Sequence, residues 1–149
     1  MGRGAMQQLF ETIRADKALI RAITALTNEN KQSLIYGLAG PQKSVVISAA
    51  YHAAPRTSVV ITASRDNLEQ LRDDFMTLLP HTEVLELVPL DLITFSADAK
   101  SLEKAARRME IFTGLLRGDQ IIVLTTVEAA IQKVLPKQDF ENSKLTLAT

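Results

Sequence analysis

The chain has no cysteine and only two histidines among its 149 residues. A disulfide framework and a thiolate metal site are therefore excluded. His52 and His81 stand in no metal-ligand spacing and read as surface or helix-end residues, so no metal site is expected. With so few histidines, no Ser-His-Asp arrangement can be argued either, and no catalytic residue is assigned. Apolar runs fall short of the roughly 18–20 residues that span a bilayer, and no signal-peptide stretch opens the chain. The expectation is a protein with no membrane partner, in a reducing, cytoplasmic compartment. Neither sign of charge is in excess: 17 Lys+Arg balance 17 Asp+Glu. That balance argues against a dedicated polyanion binder held by bulk charge and leaves a local basic patch open.

What is present is 46% hydrophobic residues, enough for the core of one domain. Residues 1–8 read as an irregular start outside the fold. From Leu9 to about Thr27 apolar residues recur at helical spacing. Ser33–Gly37 reads as a short buried strand, residues 37–42 as a loop, and Lys43–Ala54 as a helix closed by Pro55. Thr57–Thr62, nearly all β-branched, predicts a second buried strand. Ser64 is placed to cap a helix over Arg65–Leu79 with Leu68, Leu71, Phe75 and Leu78 inward. Glu83–Leu87 is a third strand, and 88–97 is an apolar loop expected to pack on the sheet. Ser101–Leu116 is an amphipathic helix with Leu102, Ala106, Met109, Phe112 and Leu116 inward, ended by Gly118. Gln120–Leu124 is a fourth strand. Thr125 and Glu128 have capping-box spacing for a helix to about Val134, which Pro136 stops.

Strands alternating with helices across short linkers predict an α/β domain over residues 9–136, a parallel sheet between two helical layers. Residues 137–149 read as a polar tail leading toward a following domain. In such sheets ligands sit at the carboxyl ends of the strands. The loop at Gly37-Leu38-Ala39-Gly40-Pro41-Gln42-Lys43-Ser44 comes close to a phosphate loop, in which glycines turn backbone N–H groups onto phosphate, lysine neutralises charge and Ser holds magnesium. Gly37, Gly40, Lys43 and Ser44 are the candidate nucleotide-binding residues. Gln42, however, occupies the second glycine's place, and Pro41 removes an N–H donor. The fourth strand also runs into Thr125-Thr126 without the carboxylate that hydrolysis needs to hold magnesium. The loop reads as a degenerate one, kept for the fold and not for nucleotide.

Ser33–Gly40, Val59-Val60-Ile61-Thr62-Ala63-Ser64, the long amphipathic helix and Ile121–Ala130, taken in order, resemble the N-terminal region of the bacterial transcription-repair coupling factor. The same stretch is similar to the first domain of the nucleotide-excision nuclease B subunit, whose phosphate loop is intact. The resemblance covers about Leu9 to Pro136. It implies a RecA-like fold of the P-loop NTPase type with a degenerate loop, and a fragment of a longer protein. Full-length members are ATP-dependent DNA translocases that use ATP and magnesium, displace stalled RNA polymerase and recruit the excision nuclease A subunit, mainly through the following domain. For this stretch the resemblance implies no catalysis and no cofactor, and contact with other domains of the same protein. Two alternatives stay open: a working ATP-binding domain using Lys43 and Ser44, and a DNA-binding module built on the helix at 100–117. For the second, Arg65, Lys104, Arg107 and Arg108 are the candidate phosphate contacts, although a solvated helix face is the plainer reading.

Overall fold

In the computed structural model the described residues are 12, 16–28, 32–89 and 99–142, with side chains undescribed at 99–102 and 141. Three strands form one parallel sheet: β1 (Ser58–Thr62), β2 (Glu83–Leu87) and β3 (Ile121–Thr126), in the order β1-β3-β2. Ile121-Ile122-Val123-Leu124 is buried at every position, because only the central strand has both faces and both edges covered. Register runs from Ser58↔Ile122 to Thr62↔Thr126 on one side and from Glu83↔Ile121 to Leu87↔Thr125 on the other.

The crossovers sort the helices onto two faces. Helix α3 (Arg65–Leu78) carries the chain from β1 past β3 to β2, and α4 (Ala99–Arg117) brings it back. Right-handed crossovers in opposite directions place these helices on opposite faces. Accordingly Leu68, Phe75 and Leu79 pack with Ile122, Leu124 and with Tyr51 of α2 (Gln42–Ala53). On the other face Ile111 packs with Leu85, Leu87, Ile121 and Val123. Each such side chain contributes about 1.5–3 kcal/mol by leaving water. Helix α1 (Lys17–Thr27), capped by the Asp16 carboxylate accepting from the Ala18 and Leu19 amides, lies against α2 and buries none of its residues fully.

Local signals account for most boundaries. Ser64 Oγ accepts from the Asn67 amide at 3.3 Å and starts α3. Gly118, at φ +75°, ends α4 in a Schellman turn: its N–H reaches Leu115 O at 3.3 Å and that of Asp119 reaches Gly114 O at 3.1 Å. No described helix is long and apolar enough to cross a membrane.

Several sequence expectations are corrected. Ser33–Gly37 forms no strand: Leu34 and Tyr36 are each 88% exposed, and no strand among the described residues pairs with the segment. β1 is an edge strand and not a buried one, so Val59 and Ile61 stay 51% and 55% exposed. Thr125 belongs to β3, where its hydroxyl donates to Leu87 O at 2.9 Å. The cap is Thr126, and the helix it opens, α5 (Val127–Ala130), is a single turn. On α4 the expected inward face holds only in part: Phe112 packs against the core and Leu116 is half-buried, while the side chain of Leu102 lies outside the described residues. Ala106 and Met109 are exposed, while Arg108 and Ile111 are buried. The residues after Pro136 include α6 (Lys137–Asn142), whose Phe140 is buried edge-on against Phe112. Residues 9–11 and 13–15 of the leading helix, Asp91 with the apolar stretch beyond Pro89, and Leu145-Thr146-Leu147 lie outside the described residues.

Candidate functional site

The near-miss phosphate loop folds back on itself. Gly37 and Gly40 sit at φ +83° and +48°, the left-handed region where glycine is unstrained. Between them the donors turn inward. The Gln42 side-chain oxygen accepts the Ala39 N–H at 3.0 Å, and the Gln42 N–H reaches the Ala39 carbonyl at 3.1 Å. Pro41 occupies the N-cap of α2 and makes no side-chain cap bond. Lys43 is exposed at the start of the helix, whereas Ser44 is buried and its hydroxyl donates to the Asp74 carboxylate on α3. Ser44 is thus a bridge between two helices. Asp74 is a residue the sequence reading missed; nothing in the spacing of α2 and α3 announces the pairing.

At the carboxyl ends of the strands there is a small pocket of about 140 Å³. It is lined by Ala63, Ser64 and Arg65 after β1, by Leu87 to Pro89 after β2, and by Thr126 with Glu128 after β3. Residues 37–44 do not contribute to it. The four candidate nucleotide-binding residues are therefore not among those that line the strand-end pocket. No group of three or more His, Asp or Glu side chains among the described residues could hold a metal ion, and His52 and His81 are exposed.

The four candidate phosphate contacts, from α3 and α4, line one cleft of about 500 Å³. Arg65 bonds Glu69 at 2.9 Å and lies 3.4 Å from Glu86 of β2. Lys104 and Arg107 are exposed on α4. Arg108 is different: its Nη1 donates to Val88 O at 3.0 Å and its guanidinium stacks 5.2 Å from the centre of the Phe112 ring. Burial pushes its pKa down, the mark of a cation held for packing. The sequence reading also missed Arg72 and Glu86. Arg72 lies 3.5 Å from the far oxygen of Glu86, so two arginines seven residues apart, two turns of one helix, clasp one carboxylate. The Asp73 carboxylate, bonded to Arg72 at 3.1 Å, raises the Arg72 pKa further. Arg65 and Arg72 share a helical face at that spacing, a signal the sequence did contain.

Comparison with known proteins gives one informative likeness. No protein-family model matches the chain, and no solved structure does. Over 114 residues the chain is 31% identical to a Bacillus subtilis (strain 168) protein, the transcription-repair-coupling factor. The alignment takes in 76% of this chain and 10% of that protein, so the chain spans about a tenth of the relative's length.

Proposed function

Since this chain is homologous to a segment of a transcription-repair-coupling factor, we propose that it is a non-catalytic α/β scaffold domain serving transcription-coupled DNA repair. On this reading it is a member of the P-loop NTPase architecture whose nucleotide site has been given up. It acts in the cytoplasm as part of a protein whose other regions carry the ATP-driven motor, meet RNA polymerase and DNA, and recruit the excision nuclease.

The observation that carries the reading is the engagement of Ser44 by Asp74. A serine that holds a magnesium ion offers it an accessible oxygen lone pair; this one is buried between α2 and α3 and turned toward Asp74. Three more features support it: the Ala39 amide taken up by Gln42, the absence of a carboxylate pair at the end of β3, and a strand-end pocket to which residues 37–44 contribute nothing. The test is strand-specific repair in a bacterium whose coupling factor lacks the segment aligned here. Loss of preferential repair of the transcribed strand is expected, with ATP hydrolysis by the remaining protein retained. Unchanged strand preference, or hydrolysis abolished by Lys43→Ala alone, overturns the proposal.

A further inference from the structure

We draw no further inference here: the strongest candidate, the groove of about 800 Å³ that Leu26 of α1, Ile47 and Tyr51 of α2 and Val59 and Ile61 of β1 line at the β1 side of the sheet, is an unpartnered apolar surface, and nothing among the described residues shows what covers it.

Discussion

The Ser44 hydroxyl on α2 donates to the Asp74 carboxylate on α3, thirty residues further along the chain. The bond ties together two helices that cover the same face of the sheet. Ser44 is buried, so removing its partner leaves a hydroxyl without its acceptor. Hydrogen bonds to charged groups contribute about 1.5–3 kcal/mol, and Asp74 is partly solvated, which favours the lower end. Ser44→Ala and Asp74→Ala are each expected to cost about 1–2 kcal/mol in urea unfolding. A double-mutant cycle should return a coupling of about 1 kcal/mol. Strict additivity would show that the two side chains act independently.

Because Ser44 is engaged, restoring the missing glycine should not restore a nucleotide site. Gln42→Gly frees the Ala39 N–H, but Pro41 still lacks a donor and Ser44 still faces Asp74. Calorimetric titration of either the parent chain or Gln42→Gly with magnesium-ATP is expected to give no saturable heat up to about millimolar nucleotide, a ceiling of about −4 kcal/mol in binding free energy. Micromolar binding that disappears in Lys43→Ala contradicts this.

Much of the sheet was legible in the sequence because its signals are local. Glu83–Leu87 was bounded as it stands, Ser64 and Gly118 act as cap and stop, and the β-branched run at 58–62 is a strand. What failed depends on neighbours. Ser33–Gly37 has strand composition, but a strand exists only where another pairs with it, and none among the described residues does. The inward face of α4 was partly misjudged because apolar periodicity counts Met109 as core and Arg108 as surface. An arginine can bury its aliphatic stem and stack its head on a ring, and that exchange is invisible to a hydropathy pattern. In the candidate site, the degeneracy of the loop was readable at Gln42 and Pro41. The shared helical face of Arg65 and Arg72 was readable too, but Glu86 as their partner and the Ser44–Asp74 bond were not, since each joins elements whose relative placement only the fold decides.

Ser48, fully buried in α2, has a hydroxyl with no hydrogen-bond partner among the described residues. Leaving a buried polar group unsatisfied costs about 1–3 kcal/mol. Ser48→Ala removes that penalty and improves helix propensity. The variant is expected to be more stable by about 1 kcal/mol, a rise of about 2–4 °C in Tm for a domain of this size. A lower Tm would mean that the hydroxyl is satisfied, for example by a water.

Tyr51 gives the fold an alkaline limit. Its ring is buried in the core and its hydroxyl donates to Gln120 O at 2.8 Å. Burial raises its pKa above the ordinary value of 10.0, against a smaller lowering from Thr82. The protonated phenol is the form the folded state favours. Its contribution is therefore complete below about pH 10 and is lost as pH rises through the folded-state pKa. Unfolding free energy measured from pH 8 to 11.5 should fall more steeply above about pH 10 in the parent chain than in Tyr51→Phe. Tyr51→Phe itself should cost about 1 kcal/mol at neutral pH, because the Gln120 carbonyl loses its donor. Parallel pH curves would show that the phenol does not couple to folding.

Arg107 and Arg108 are adjacent in sequence and opposite in role. Arg108 is 7% exposed; it holds the carbonyl of Val88 just beyond β2 and lies over Phe112, which in turn meets Phe140 edge-on with ring centres 6.3 Å apart. It thus links the end of β2, the middle of α4 and helix α6. Arg108→Ala removes packing around its stem, a stacked cation and the donor to a carbonyl, and is expected to cost about 2–3 kcal/mol. Arg108→Met keeps most of the stem and should recover about half of that. Arg107→Ala removes an exposed side chain and should change stability by no more than about 0.5 kcal/mol. Urea midpoints for the three variants decide the matter. If Arg108→Ala is as harmless as Arg107→Ala, Arg108 is a surface cation after all and is available to the cleft beside Lys104.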